Sequence, residues 1–248
     1  MKFIAHRGYS GRYPENSLAA FQAVLDHPCN GRSLIGIELD IHLTADGRIP
    51  VLHETTVGGR LGGQVPIARC TFHRMQRLYK KQYDGKRPEV PDLGTVLSLV
   101  NHRTELCFEI KEGSYDLEWF TRLFAEAIEA YQPRGDVIVS SFSYEILDFV
   151  RSYLAWTNIR YGYIFDSVAA LDAVPRMIRK RFDLLHPWYR LLLSTPERFS
   201  PKGPPIRCWT VNEPRLVRSL VEQSASLPIE AVMTDDIELA TSFADGRP

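Results

Sequence analysis

The chain has 248 residues, of which 44% are hydrophobic and 24% are charged, with 30 basic and 30 acidic side chains. This composition is ordinary for a soluble globular protein, and the length suits one (β/α)8 barrel, although two small domains would also fit. The formal net charge of zero excludes a global field that attracts nucleic acid or an anionic membrane. Any anion must therefore be recognised by locally placed cations.

Cysteine usage and hydropathy bear on the compartment. No C-x-x-C pair is present, and the apolar runs are shorter than the roughly 18 residues that suggest a membrane span. The N-terminal sequence also lacks the apolar segment of a signal peptide. We therefore expect a cytoplasmic protein with no stable membrane insertion and no nucleic-acid partner, and we leave its oligomeric state open.

The first third of the chain predicts two strands and a helix. A short apolar strand precedes a polar loop and a helix over about 15–27, and residues 36–43 then alternate apolar and polar side chains as a strand does. Asp46-Gly47 predicts a tight turn into a return arm over 48–53. If the turn has two residues, Asp40 faces His53, which places a histidine beside the acids of the second strand.

The rest of the chain alternates strands with helices after a loop-rich stretch. Strands are predicted at 106–111, 137–142, 159–165, 183–186, 206–211 and 231–235, and helices at 117–131, 144–154, 168–181, 191–199, 214–223 and 237–243. About eight such units without a glycine-rich nucleotide loop favour a closed (β/α)8 TIM barrel over an open sheet. We predict one catalytic domain over 1–248, with a loop-rich subdomain of about 54–104 inserted after the second strand and hairpin.

Three carboxylates fall on inward positions at the C-terminal ends of predicted strands, where barrels hold their functional groups. They are Glu38, Asp40 and Glu109. Buried carboxylates repel one another and lose hydration, so three together need a cation. An all-oxygen set suits Mg²⁺ or Ca²⁺ better than zinc.

Two histidines and two cations converge on the same mouth. His6 and His53 can serve as base and acid near pH 7, while Arg7 and Lys111 add fixed positive charge. A metal, two cations and an acid–base pair are the groups that phosphodiester cleavage needs. By contrast, we interpret His42 as a rim residue with local hydrogen bonds, and we expect solvated or capping roles in loops and at helix ends for His27, His73, His102 and His186.

A series of motifs runs in order from residue 3 to about 236: His6-Arg7-Gly8, Pro14-Glu15-Asn16-Ser17, Ala20-Phe21, Glu38-x-Asp40, Thr44-x-Asp46-Gly47, Val51-x-His53-Glu54, Glu109-Ile110-Lys111, Ser141-Phe142, Trp209-Thr210-Val211-Asn212 and Thr234-Asp235. In these motifs and their spacing the sequence resembles the glycerophosphodiester phosphodiesterase family. The resemblance implies a (β/α)8 barrel with a small insertion after the second histidine. It also implies cleavage of a small-molecule glycerophosphodiester to glycerol 3-phosphate and an alcohol.

The resemblance implies a role for each matching residue. His6 and His53 correspond to the general acid–base pair, and the metal ligands correspond to Glu38, Asp40 and Glu109. The phosphate clamps correspond to Arg7 and Lys111, and the substrate pocket to Trp209 and Phe142. The segment from Gly58 to Gly63 is expected to set substrate preference.

Two alternatives stay open. A lysophospholipase D-like phosphodiesterase would act on lipid diesters and would need an apolar entry for the acyl chain. A protein of another functional class would be a barrel that binds phosphate ligands without turning them over. The complete set of acids and histidines argues against this second alternative.

Overall fold

A closed barrel of parallel strands organises the protein, seen here in a computed structural model that describes residues 1–58, 63–133, 137–154 and 159–244. The described strands are β1 (Lys2–His6), β2 (Leu34–Ile41), β3 (Thr56–Val57), β4 (Val65–Pro66), β5 (Glu105–Ile110), β6 (Val137–Ser141), β7 (Ile159–Phe165), β8 (Leu184–Pro187), β9 (Ile206–Cys208) and β10 (Ile229–Thr234). Eight of them close the barrel in the order β1-β10-β9-β8-β7-β6-β5-β2, and β3 pairs with β4 alone. The predicted (β/α)8 fold is confirmed.

Helices connect the barrel strands. They are α1 (Leu18–Leu25), α2 (Phe72–Gln82), α3 (Leu93–Val100), α4 (Leu117–Tyr131), α5 (Tyr144–Tyr153), α6 (Val168–Ala173), α7 (Arg176–Arg179), α8 (Tyr189–Ser194), α9 (Pro214–Gln223) and α10 (Glu238–Ala244), with short 3-10 turns at Ile67–Arg69 and Pro196–Arg198. The single helix predicted over 168–181 is two helices, because Pro175 has no backbone N–H and holds Val174 in an extended conformation. No helix in the described ranges is long and apolar enough to cross a membrane.

Buried side chains fill the lower part of the barrel interior, on the side of the N-terminal ends of the strands. Side chains from the strands, including Ile4, Ile138 and Leu184, form a buried apolar cluster inside the barrel. Near the N-terminal ends of the strands, the guanidinium of Arg207 is 1% exposed and pairs with Glu105 and Glu230. Both layers occupy the lower part of the barrel, and the cavity that contains the predicted site residues lies at the C-terminal end.

The hairpin after β2 differs from the prediction by one residue. Ile41 pairs with Val51, and the backbone N–H of Leu52 donates to the carbonyl of Asp40 at 3.0 Å. The predicted facing of Asp40 and His53 is therefore wrong. The turn has three residues rather than two because Gly47 adopts a left-handed φ of 77°, and a three-residue loop of this kind shifts the register.

The segment between β2 and β5 is divided between two hydrophobic clusters. Val57, Met75, Tyr79 and Val90 share a small separate core, whereas the buried residues of α3 belong to the main core between the sheet and the helices. The described part of the small core therefore ends before α3. The division into one catalytic domain over 1–248 with an insertion over about 54–104 stays a prediction.

Candidate active site

The three predicted carboxylates lie together at the mouth of the barrel. Glu38 and Asp40 point inward from β2, and Glu109 is the direct neighbour of Asp40 on β5. Their exposed fractions are 3%, 0% and 7%, and one oxygen of each lies within 4.8 Å of the others. Strand alternation explains this grouping, since residues two apart on β2 face the same side.

The two predicted cations contact these acids directly. Arg7 Nε lies 3.2 Å from Asp40 Oδ2, and the Arg7 backbone N–H donates to Glu38 Oε2 at 3.1 Å. Lys111 Nζ lies 2.6 Å from Glu109 Oε1 and 3.3 Å from Asp40 Oδ1. When all five side chains are ionised, three negative charges face two positive ones.

The acids respond differently to this environment. Burial raises the pKa of Glu38 well above its ordinary value, and the charges of Asp40 and Glu109 add to the rise. Burial together with Asp40 raises the pKa of Glu109 to about 7. Burial also opposes ionisation of Asp40, but Lys111 and Arg7 outweigh it and hold its pKa below the usual range. The cluster therefore has more carboxylates than its own cations can keep ionised, as expected for a cation site.

His6 and His53 both line the cavity above the acids. His6 Nδ1 lies 2.7 Å from Asp235 Oδ1, and its Nε2 lies 4.0 Å from Glu38 Oε2. Burial lowers the pKa of His53, and the charges of Arg7 and Lys111 reinforce this shift against the opposing effect of Asp40. The two imidazoles thus share a cavity but differ in their partners.

Asp235 has a role in holding His6 that the sequence motif did not reveal. Although burial opposes its ionisation, the hydrogen bond and charge of His6, together with Asn212 and Ser10, lower the Asp235 pKa to about 2. An ionised carboxylate only accepts hydrogen bonds, so the imidazole must donate from Nδ1. This leaves Nε2 of the neutral ring as the acceptor on the cavity side.

Asn16 and Glu15 belong to the Pro14-Glu15-Asn16-Ser17 motif, but the sequence predicts no individual role for them. Asn16 Nδ2 donates to Asp40 Oδ2 at 2.7 Å, and its Oδ1 accepts from the Asp40 backbone at 3.3 Å. Glu15 accepts from Arg7 Nη1 at 2.8 Å. Asn16 thus fixes one of the acids and Glu15 fixes a cation that contacts them, and only their motif marked them in the sequence.

The opposite wall of the cavity is mainly apolar. The rings of Phe142 and Trp209, both predicted pocket residues, meet edge to face with centroids 5.7 Å apart. Ile164 and Met233 complete this wall, and the cavity volume is about 120 Å³. The mouth thus has a charged side at β1, β2 and β5 and an apolar side beyond β6.

His186 was expected to be solvated or to cap a helix, and that expectation is wrong. The ring is fully buried on β8 and borders the cavity, and burial lowers its pKa to about 3. Its position depends on Gly162, since a Cβ there would lie 2.6 Å from the ring. His42 is also buried, at 3% exposure, rather than on the rim, and it is not among the cavity residues.

The Gly58–Gly63 segment is expected to set substrate preference, and its residues 59–62 lie outside the described part of the chain. Its role in substrate preference therefore stays a prediction.

Known proteins resemble this chain over nearly its whole length. Residues 6–239 match the model of the Glycerophosphoryl diester phosphodiesterase family. A glycerophosphodiester phosphodiesterase of Caldanaerobacter subterraneus subsp. tengcongensis is 27% identical over 242 residues, which cover 95% of this chain and 94% of the relative. Human glycerophosphodiester phosphodiesterase 1 is 32% identical over 152 residues, which cover 58% of this chain and 43% of the relative.

Solved structures agree. The glycerophosphodiester phosphodiesterase of Thermotoga maritima matches with a TM-score of 0.72 and 27% identity, covering 97% of each chain. An Oleispira antarctica phosphodiesterase, solved in complex with the product sn-glycerol-3-phosphate, has the same fold, with a TM-score of 0.75 and 21% identity over 99% of this chain and 97% of that chain. The chain belongs to the glycerophosphoryl diester phosphodiesterase family and is a phosphoric diester hydrolase.

Proposed function

We propose that the protein hydrolyses glycerophosphodiesters to glycerol 3-phosphate and an alcohol, with a divalent metal ion and with His6 and His53 as the acid–base pair. The observation that carries this proposal is the cluster of three buried carboxylates beside one cavity that two histidines and two cations also line. The relative from Caldanaerobacter, similar over nearly its full length, has the corresponding name.

A divalent cation fits the three acids. With all groups ionised, the carboxylates outnumber Arg7 and Lys111 by one charge, and such a site would repel a phosphodiester anion. Glu38, Asp40 and Glu109 together would hold Mg²⁺ or Ca²⁺, which prefer oxygen ligands, and would leave the site net positive. The bound ion would supply neutralisation of the charge that develops on the phosphoryl oxygens.

The two histidines divide the proton transfers. Burial favours the neutral form of His53, which suits a general base that takes a proton from the attacking hydroxyl or water. His6 Nδ1 donates to the Asp235 carboxylate, which fixes the ring with Nε2 towards the cavity. His6 therefore suits the general acid that protonates the oxygen of the departing alcohol when its bond to phosphorus breaks.

Arg7 and Lys111 support the proposed binding of the phosphoryl group. Both are fixed by carboxylates at the edge of the cavity, so they contribute positive charge with little loss of side-chain freedom on binding. Phe142 and Trp209 would pack against the rest of the diester across the cavity, where they exclude water.

Glycerophosphocholine hydrolysis tests the proposal. We expect purified protein to release choline and glycerol 3-phosphate in the presence of Mg²⁺ or Ca²⁺, to stop with EDTA, and to recover when the metal is added back. A panel of ethanolamine, inositol and lysolipid diesters then defines the head group and separates the lysophospholipase D-like alternative. No turnover of any glycerophosphodiester with Mg²⁺, Mn²⁺ or Ca²⁺ would contradict the proposal, and tight phosphate binding without turnover would favour the non-catalytic barrel.

A further inference from the structure

Positive charge is concentrated in one short segment of a chain whose formal net charge is zero. Between residues 67 and 91 there are seven lysines and arginines but only two acids, a surplus of five positive charges that the rest of the chain balances. The seven cations, together called the basic face, are Arg69, Arg74, Arg77, Lys80, Lys81, Lys86 and Arg87. The protein therefore has a strong separation of charge despite its neutrality.

Helix α2 presents much of the basic face outward. Met75 and Tyr79 bury one side of the helix in the small core, and the other side exposes Arg74, Arg77 and Lys81, spaced three and four residues apart. No carboxylate in the described ranges lies within ion-pair distance of these three cations, in contrast to the paired arginines of α7 and its neighbours. Their charge is thus available to an external partner.

A groove runs beside α2. It has a volume of about 610 Å³ and is bordered by Arg77, Lys80 and Arg87 together with the apolar side chains of Phe72 and Pro88. It is about five times larger than the active-site cavity, and its lining combines cationic and apolar groups with the carboxylate of Glu89. Such a combination matches an amphiphilic surface better than a small polar anion.

The basic face is continuous with the active site. Arg87 Nη1 lies 3.4 Å from Glu15 Oε1, and the second oxygen of Glu15 lies 2.8 Å from Arg7. Arg7 contacts the acid cluster through Asp40. A surface that docks on the basic face therefore lies close to the residues that would hold the phosphoryl group.

We propose that the basic face docks the protein peripherally on an anionic phospholipid surface. Clusters of Lys and Arg side chains are attracted to such surfaces by charge alone, which suits α2 because its apolar side is already buried in the small core. The charge separation of this chain would also orient it with the basic face towards the lipid. Single-stranded nucleic acid is a weaker match, because Arg48 lies over the ring of Phe72 and Arg87 lies over that of Tyr83, so one face of each ring is closed to base stacking.

Vesicle co-sedimentation tests this docking with the full chain. We expect wild-type protein to bind phosphatidylcholine vesicles that contain phosphatidylglycerol, to ignore pure phosphatidylcholine vesicles, and to dissociate at high salt. Because each surface cation contributes roughly fivefold to binding, the double variant Arg77→Gln/Lys81→Gln should lose about 25-fold.

A matched control comes from α7 and its cap, where Arg176 and Lys180 have the same spacing of an arginine and a lysine and are also exposed. The variant Arg176→Gln/Lys180→Gln should retain wild-type vesicle binding, and both double variants should keep wild-type hydrolysis of a water-soluble diester. Equal losses in the two variants, or no binding of the wild type to anionic vesicles at low salt, would refute the docking. The basic face would instead be assigned to nucleic acid by two results together. A single-stranded oligonucleotide would displace the wild-type protein from vesicles, and, of the two double variants, only the α2 variant would bind that oligonucleotide more weakly than the wild type.

Discussion

The barrel buries a charged cluster at each end, and the two clusters differ in balance. At the N-terminal ends of the strands, Arg207 is held between Glu105 and Glu230, and Arg160 adds a second cation to Glu230. Although burial opposes its ionisation, the bond to Arg207 lowers the pKa of Glu230. At the mouth, burial and like charges raise the pKa of Glu38. In the lower cluster, at the N-terminal ends of the strands, the acids and cations neutralise one another, and we expect this cluster to stabilise the fold. The upper cluster, at the mouth, has an excess of carboxylates and needs a cation to neutralise it.

The largest expected effect concerns the histidines at the mouth. His6→Ala and His53→Ala should each lower kcat by about 10²-fold or more, the usual scale for losing a general acid or base, while the melting temperature stays close to that of the wild type. Steady-state kinetics on glycerophosphocholine measures this loss. His73→Ala, on the exposed side of α2, provides the control and should keep full activity. Wild-type turnover in either mouth variant would remove that histidine from the mechanism.

The lower cluster should respond in stability instead. Arg207→Met leaves two partly buried carboxylates without their shared cation, which should reduce the free energy of unfolding by about 3–5 kcal/mol. Urea denaturation measures the change, and kcat per folded molecule should remain near the wild-type value. Arg215→Met removes an arginine from an exposed pair with Glu213 and should change stability by less than about 0.5 kcal/mol. A similar result for both variants would show that the lower cluster does not stabilise the barrel.

Metal binding sharpens the contrast at the mouth. A divalent ion at about 100 times its dissociation constant should stabilise the wild type by about 2.7 kcal/mol, seen as a higher melting temperature. Glu38→Gln should lose most of this shift, yet without metal it should be at least as stable as the wild type, because the variant removes one of three mutually repelling carboxylates. Full metal affinity in Glu38→Gln would contradict the ligand assignment.

The smallest effect is the acid sensitivity of the lower cluster. Since the pKa of Glu230 is lower in the folded protein than in the unfolded chain, its stabilisation is present above the unfolded value and is lost as the pH falls through the folded one. Because Glu230 is partly exposed, the contribution should stay below about 1 kcal/mol. In Glu230→Gln, the urea midpoint should fall less steeply between neutral and acidic pH than in the wild type. An unchanged slope would assign the acid sensitivity to other groups.

Local patterns were sufficient for much of the fold. Helix α4 and strand β7 occupy the predicted residues. Helix α4 has a buried apolar face and an Asp116 cap, and β7 is a short, mostly apolar run with polar residues on both sides. Strand β9 is shorter than predicted, since its regular pairing ends at Cys208 and is followed by an isolated bridge between Trp209 and Trp188, although the apolar pattern continues. The register of the hairpin after β2 was missed because it depends on the φ of Gly47, which composition does not determine.

The candidate site was predictable in its residue types but not in its supports. The grouping of Glu38, Asp40 and Glu109 follows from strand alternation and the barrel rule, so the sequence pattern was enough to expect it. The contact between His6 and Asp235 joins residues 229 positions apart, and the burial of His186 depends on a glycine of the neighbouring strand. Neither arrangement has a local signature, so only the assembled barrel reveals it.

The bond between His6 and Asp235 also crosses the seam where β1 meets β10, because His6 is the last residue of β1 and Asp235 directly follows β10. His6, the proposed general acid, is therefore oriented by Asp235, which follows the last of the described strands to be synthesised. A nascent chain could bury its first strands early and still lack an oriented imidazole until β10 has emerged from the ribosome and closed the barrel. Hydrolytic activity would then report completion of the fold, and a fragment that ends before β10 would be inactive even with every acid of the mouth in place.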